Sequence, residues 1–313
     1  MEMRRVGTSG LWVSRLALGT MTWGRDTDAD DAGAQLKAFV NVGGALVDTA
    51  DVYTDGLSES VLGGLLATVV ERDELTIATK AGIDPAGTRR RNTSRGHLLS
   101  ALDASLQRLG TDYIDLWQLH AWDEHTPLEE TLSALEIAVR SGRVRYVGVS
   151  NFAAWQLATA ASRSNFALVS SQVEYSLLAR AVEKDLTPAA EFHGMGVLAW
   201  SPLGRGVLTG KYRSSTPPDS RAASPHFQSF VGRYLDDSHT RVVDAVATAA
   251  DGLGVSPLAV ALAWVRDRPG VVAPIVGART SGQLMASLQS EDLTLPSEIR
   301  AALDDVSAVL LAH

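Results

Sequence analysis

Three observations predict an α/β fold, a single (β/α)8 TIM barrel that spans residues 1–313. Short apolar runs of strand length alternate with amphipathic stretches of helical period, which is the pattern of a parallel sheet wrapped by helices. The strand-like runs number eight, and no interruption between them is long enough to mark a domain boundary. Eight β/α units are the number that closes into a barrel.

The predicted elements follow one another along the chain. A β-hairpin is expected over MRRVGTSGLWVS, ahead of the barrel. The eight predicted strands cover residues 16–20, 45–50, 75–80, 113–120, 145–151, 168–174, 196–203 and 271–277. In the helical stretch TSRGHLLSALDASLQRLG, Thr93 or Ser94 can cap the start and Gly110 suits the end. Two segments near 239–252 and 296–310 fit no β/α unit and are predicted to be extra C-terminal helices.

Composition and charge exclude several classes of function. The 313 residues contain no cysteine, which removes disulfides and thiolate chemistry. A net charge of −8 argues against nucleic acid as a partner. No apolar run approaches the ~18 residues that span a bilayer, and the start of the chain lacks a secretory signal. We therefore expect a soluble cytoplasmic protein without a membrane partner. The oligomeric state is left open.

Four polar residues lie at or just beyond the ends of separate predicted strands. Asp48, Lys80 and His120 stand at the carboxyl ends of strands two, three and four, and Tyr53 follows in the loop after strand two. Because the carboxyl ends of barrel strands form one rim, these side chains should converge on a site there.

This set of residue types suits the reduction of a carbonyl. A tyrosine with an ordinary pKa of ~10 is a slow proton donor at neutral pH, so Tyr53 needs its pKa lowered. Lys80 can do this as an ammonium, and Asp48 can hold Lys80 charged and in place. His120, when neutral, can orient the carbonyl oxygen by a hydrogen bond. The hydride itself must come from a cofactor.

Taken one at a time, three of these residues have simpler structural explanations. Tyr53 could lie in a surface loop, Asp48 could cap a helix, and His120 could be a satisfied residue at a strand end. Lys80 is harder to explain in this way, since the chain has four lysines against twenty-four arginines and yet places an ammonium at a strand end. The order and spacing of all four favour catalysis.

Two other groups of charged residues are assigned no function. The arginines at 89, 90, 91 and 95 are interpreted as a solvated loop and helix start. The histidines at 97, 125, 193, 226 and 239 show no ligand spacing, so no metal site is predicted.

Several segments resemble the aldo-keto reductase family, in the branch of bacterial general-stress-type reductases and potassium-channel β subunits. They are GALVDTADVYTDGLSESVLG, SLQRLGTDYIDLWQLH, VGVSN, WSPLGRGVLTGKY and PIVGARTSGQL, which together cover about residues 16–290. The resemblance implies a barrel that binds NADPH without a Rossmann domain and reduces aldehydes or ketones. Consistent with this, GRGVLTG does not match GxGxxG.

The resemblance also implies a cofactor site. Ser150, Asn151 and Gln172 would surround the nicotinamide carboxamide, with Trp200 against the ring. The other residues that it places on the cofactor are Thr20, Met21, Ser201, Pro202, Leu203, Gly204, Gly206, Lys211, Arg221, Gly277, Arg279 and Gln283. Of these, Lys211, Arg221 and Arg279 would hold phosphates, and Arg279 would favour NADPH over NADH. Ala286 and Ser287 depart from the family's usual acid and asparagine, which puts adenine affinity in question.

The substrate side of the site is predicted less fully. Loop residues such as Trp23, Trp122 and those around Phe227 are expected to set specificity for a small-molecule carbonyl substrate. The stretch from Gly204 to about Asp237 shows no clear period and should be a functional loop.

Two alternatives remain open beside a reductase. GKYRSSTPPDSR and TPLEETL also resemble potassium-channel β subunits, which use a bound cofactor mainly as a sensor, although those relatives carry asparagine in place of His120. A barrel aldolase could use Lys80 as a Schiff-base nucleophile, but Asp48 should keep that amine protonated.

Overall fold

The fold is an eight-stranded parallel barrel preceded by an antiparallel hairpin, which confirms the predicted class. The computed structural model describes residues 1–66, 68–213, 217, 223 and 231–311. The hairpin strands are β1 (Met3–Arg5) and β2 (Trp12–Ser14). The barrel strands are β3 (Ala17–Gly19), β4 (Leu46–Asp48), β5 (Thr76–Ala81), β6 (Ile114–Leu119), β7 (Val144–Ser150), β8 (Leu168–Glu174), β9 (Gly196–Trp200) and β10 (Val271–Gly277). They pair in chain order, and β10 closes the barrel against β3.

Helices surround the barrel in the expected alternation. They are α1 (Ala29–Asn41), α2 (Leu57–Leu65), α3 (Arg95–Leu109), α4 (Leu128–Arg140), α5 (Ala154–Arg163), α6 (Leu186–Phe192), α7 (Asp237–Leu253), α8 (Pro257–Arg266), α9 (Ser281–Leu288) and α10 (Ser297–Ser307). Helices α7 and α10 are the two extra helices, and they pack against each other. Gly110 ends α3 in a left-handed conformation with φ 62°, as predicted, but the side chain of the N-cap residue Ser94 makes no capping hydrogen bond.

The barrel is filled and closed at its amino end. Val6 and Val13 from the hairpin region belong to the same buried apolar cluster as Leu46, Leu116 and Leu198 from the barrel interior. The N-terminal half of the barrel is thus a packed core, as barrels of this size require.

No single helix among the described residues is long and apolar enough to cross a membrane. Helices α7 and α8 would pass that criterion only as a pair, and the chain bends by 103° between them.

Candidate active site

A fully buried lysine lies at the centre of the predicted site. Lys80, near the end of β5, donates from Nζ to Asp48 Oδ1 at 2.6 Å, to the Thr49 carbonyl at 2.8 Å and to Tyr53 Oη at 3.2 Å. An ammonium has three protons, so these contacts use all of them. The structure therefore brings together three of the four predicted groups through one nitrogen.

Asp48 completes the buried ion pair at the end of β4. Its other carboxylate oxygen accepts from Gln172 Nε2 at 2.7 Å, so both oxygens have donors. Burial lowers the pKa of Lys80, but the charges and hydrogen bonds of Asp48 and Tyr53 together raise it more, and the net direction is upward. Lys80 is thus charged at neutral pH, as the sequence predicted.

The pKa of Tyr53 moves in the direction opposite to the one expected from sequence. Burial raises it above 10.0, and the Lys80 ammonium lowers it by a smaller amount, so the net direction is upward. The expectation of a net lowering was wrong because it counted the charge of Lys80 and not the loss of solvent around the phenol. Tyr53 is therefore protonated at neutral pH, which is the form that can donate.

His120 lies directly after β6, beside Tyr53. Its backbone N–H donates to Ala81 O at 2.8 Å, and its ring meets the Tyr53 ring edge-on at a centroid distance of 5.9 Å. Burial, reinforced by the charge of Lys80, lowers the pKa of His120 to about 3. The imidazole is neutral at physiological pH and can donate a hydrogen bond without carrying charge.

A cavity of about 500 Å³ opens above these groups at the carboxyl end of the barrel. Asp48, Tyr53 and His120 line it, while Lys80 lies beneath. The predicted cofactor residues on its wall are Thr20, Met21, Ser150, Asn151, Gln172, Trp200, Ser201, Pro202, Leu203, Gly206, Lys211, Gly277, Arg279 and Gln283. The convergence expected from the strand ends is therefore observed.

Strained backbone conformations mark the rim of this cavity. Asn151, Ser201 and Arg205 all have positive φ, at 58°, 51° and 59°. Each follows the end of a barrel strand, where such conformations cost energy and persist only when their surroundings hold them. Asn151 is held by its own side chain, which donates to Ser150 Oγ at 3.0 Å and to the His120 carbonyl at 2.9 Å.

The same asparagine connects two walls of the cavity. Trp200 Nε1 donates to Asn151 Oδ1 at 3.0 Å, which fixes the half-buried indole at the end of β9. Gln172 donates one of its two amide N–H bonds to Asp48, and its amide oxygen can accept from a ligand. These side chains offer an amide-binding edge next to an aromatic face.

The outer end of the cavity suits an anionic group. Lys211 and Arg279 line it, and neither forms an ion pair with any residue that the structure describes. Gly206, with φ 92°, lines the cavity beside Lys211, since a Cβ there would come within 3.3 Å of Lys211 Nζ. Asp48, at the deep end, is the one carboxylate on the wall among the described residues. The donor set fits a phosphorylated ligand with an uncharged polar ring at its other end.

Sequence reasoning passed over Arg205, which also lines the cavity. Its guanidinium pairs with Glu174 at 2.7 Å, and Glu174 accepts from Tyr234 Oη at 2.8 Å as well. Arg205 therefore anchors the loop after β9. The signal was present in the sequence, as an arginine between two glycines and an acid at the end of β8.

Several predicted positions are placed elsewhere. Gly204 is buried, and a Cβ there would meet Leu178, but it does not line the cavity. Trp23 is fully buried and donates to Gln35 Oε1 at 3.3 Å, so its prediction as a substrate contact was wrong. A substrate contact needs an indole that is partly exposed to the cavity, whereas the indole of Trp23 belongs to the core.

Trp122 also lies outside the main cavity. It packs edge-on against Phe152 at 5.3 Å and Trp155 at 5.4 Å, beside a separate small cleft. Aromatic neighbours thus hold it away from the site. Arg221 and Phe227 lie outside the described residues.

Comparison with known proteins agrees with this geometry. The model of the Aldo/keto reductase family matches residues 15–308. The chain belongs to the aldo/keto reductase family. Among its relatives, the "Uncharacterized oxidoreductase YrpG" of Bacillus subtilis is 37% identical over 98% of this chain and 96% of its own length. A "Probable voltage-gated potassium channel subunit beta" of Oryza sativa is 33% identical over 99% and 97%. The "Versiconal hemiacetal acetate reductase" of Aspergillus parasiticus is 34% identical over 96% and 95%.

Proposed function

We propose that this aldo/keto reductase is an NADPH-dependent enzyme that reduces an aldehyde or ketone to the alcohol, reversibly, with Tyr53 as general acid and base. The observation that carries the proposal is the Lys80 nitrogen, which joins Asp48 and Tyr53 beneath the cavity. Two cations that form no ion pair with the described residues also line that cavity. The substrate is a small-molecule carbonyl compound, and the protein acts in the cytoplasm with neither nucleic acid nor a membrane as partner.

The bound NADPH would supply the hydride that forms the new C–H bond, and it would leave as NADP⁺. The chain supplies the rest. His120 donates a hydrogen bond to the carbonyl oxygen and fixes its direction. Tyr53 gives its proton to the oxygen as negative charge develops there, and the Lys80 ammonium stabilises the tyrosinate that remains.

The residues on the wall fit this cofactor. Trp200 offers a flat face to the nicotinamide, with Asn151, Ser150 and Gln172 close enough to bind its carboxamide. Lys211 and Arg279 would take the phosphates, and Arg279 directly precedes the N-cap residue of α9. Because neither cation has a carboxylate partner within the part of the chain that the structure describes, the pair favours the extra phosphate of NADPH over NADH.

A regulatory function is the second candidate, because two plant relatives named as probable potassium channel β subunits cover almost the whole chain. Such a subunit would bind the cofactor as a sensor with little turnover. The intact hydrogen-bonded set from Asp48 to Tyr53, with a neutral histidine beside it, favours catalysis instead. The aldolase alternative is disfavoured, since the pKa of Lys80 is raised and its nitrogen is fully buried.

A panel of carbonyl compounds, followed at the cofactor absorbance with NADPH and with NADH, tests the proposal. Multiple turnovers with an activated aldehyde such as 4-nitrobenzaldehyde, faster with NADPH, are expected. Tight NADPH binding with at most one turnover on every carbonyl would favour the regulatory function. Absence of any dinucleotide binding would refute both.

A further inference from the structure

A second acidic side chain lies beside Tyr53 and has no part in the reaction described above. Asp51 is two residues before Tyr53, and its backbone N–H donates to Lys80 O at 3.1 Å, which attaches the start of this loop to β5. The Asp51 Oδ1 atom is buried and has no hydrogen-bond partner among the described residues. Ionising a carboxyl in such a place is costly, because burial disfavours the charge and the backbone hydrogen bond from Val52 offsets that cost only in part.

The arginine that acts on Asp51 is already paired with another acid. Glu59, fully buried on α2, accepts from Arg108 Nε at 2.8 Å and from Thr79 Oγ1 at 2.5 Å. Arg108 reaches this position from α3, and its Nη2 also contacts Ser105 Oγ at 3.3 Å. Asp51 is therefore the second carboxyl beside the Arg108 guanidinium. If Asp51 were ionised, the two carboxylates and the guanidinium would together carry a net charge of −1.

The loop that carries Tyr53 rests directly on this cluster. Thr54, Asp55 and Gly56 are three successive residues with positive φ, at 50°, 56° and 89°. A Cβ at Gly56 would come within 2.9 Å of Arg108 Cδ. The backbone after Tyr53 thus turns tightly over the arginine, and the cluster and the tyrosine belong to one packed unit.

The charged groups that surround Asp51 act on it from three elements. Burial and Glu59 raise the pKa of Asp51, while Arg108 and Lys80 lower it less, and the result is about 7. Asp51 in turn raises the pKa of Tyr53, together with Asp48 and against Lys80. Lys80 connects the two residues, because its carbonyl accepts from the Asp51 backbone and its ammonium donates to Tyr53 Oη.

We propose that Asp51 is a positioning residue for the reaction proposed above, on which this inference rests: the charge of its carboxyl governs how firmly Tyr53 holds its proton. When Asp51 is neutral, no negative charge on it counteracts the stabilisation of the tyrosinate by the Lys80 ammonium, and the tyrosinate needed to oxidise an alcohol forms more readily. When Asp51 is ionised, Tyr53 keeps its proton and stays ready to reduce a carbonyl.

The test compares pH profiles of kcat/KM in both directions for the wild-type enzyme, Asp51→Asn and Asp55→Asn. Asp55 is the matched control, because it is also two residues from Tyr53, is exposed, and has a left-handed conformation that asparagine accepts. Removing the Asp51 charge should lower, by at least ~0.5 pH unit, the alkaline inflection of the pH profile that reports the loss of the Tyr53 proton. Where kcat/KM for alcohol oxidation still rises with pH, it should then be about threefold higher. Asp55→Asn should leave the inflection in place.

Asp51→Ala, which also removes the charge, must shift the inflection the same way, so a folding defect in one variant does not decide the result. NADPH affinity should be unchanged in all of them. A wild-type enzyme that turns over carbonyls, with Asp51→Asn and Asp51→Ala profiles that coincide with it, would overturn the role of Asp51 alone. A wild-type protein without turnover would instead refute the proposed function.

Discussion

Replacing Lys80 by methionine should destabilise the protein strongly, because the change removes one half of a buried ion pair. Asp48, with a side chain 3% exposed, would keep Gln172 as its one side-chain donor, and the Thr49 carbonyl would lose its partner. Breaking such a pair from one side costs about 3–5 kcal/mol. For a chain of this size that corresponds to a fall of roughly 6–10 °C in the midpoint of thermal unfolding.

The second half of the prediction concerns recovery. Asp48→Asn combined with Lys80→Met removes both charges, so the double variant should regain at least about 2 kcal/mol over Lys80→Met alone. Because the folded-state pKa of Lys80 is raised above 10.5, the contribution of the pair is complete at neutral pH and is lost only as the pH rises through that folded-state value.

Thermal unfolding followed by tryptophan fluorescence measures these differences. Lys184→Met is the control, since Lys184 is exposed and its loss should change the midpoint little. A Lys80→Met protein that unfolds within ~2 °C of the wild type would refute the reasoning, as would a double variant no more stable than the single one.

Three further predictions concern neighbouring groups. His120→Asn should lower kcat by about 100-fold or more, while NADPH affinity stays within about twofold. The pH profile of kcat/KM for the wild-type enzyme should show no inflection from a histidine between pH 5 and 9, because the pKa of His120 is about 3. Arg279→Met should weaken NADPH binding about tenfold and NADH binding little, as measured by quenching of protein fluorescence; equal losses would contradict its assignment. Asp51→Asn should leave stability unchanged near pH 4 and raise it by about 2 kcal/mol at pH 8, since the folded-state pKa of Asp51 is about 7 and ionisation of this buried carboxyl opposes folding. Parallel stability curves for the two proteins would contradict that pKa.

The barrel and the centre of the site could be predicted because they follow from local patterns. The strands predicted over 45–50 and 113–120 put Asp48 and His120 near strand ends, and barrel topology then dictated that these ends meet. The observed strands end slightly earlier, at Asp48 and Leu119. Lys80 stood out through composition. Asn151 and Trp200 were assigned to the site by the family resemblance, and the structure adds the hydrogen bond between them.

Other features depend on burial, which composition does not reveal. From the sequence, Trp23 could face a substrate or the core, and in the structure it lies in the core and donates to Gln35. The direction of the Tyr53 pKa shift required a comparison of lost solvent with gained charge. Arg205 was passed over in the sequence, and its contact with Glu174 is formed only in the folded chain. Pairings between distant residues of this kind are settled only once the fold brings them together.

The measurement that tests the central claim most directly is NADPH turnover with 4-nitrobenzaldehyde in the wild-type protein and in Tyr53→Phe. Phenylalanine keeps the ring beside His120 and removes only the hydroxyl that Lys80 contacts. The rate should fall by at least ~100-fold, the usual scale for the loss of a positioned acid, while NADPH affinity remains within about twofold. Turnover by Tyr53→Phe at the wild-type rate would contradict the assignment of Tyr53 as the proton donor.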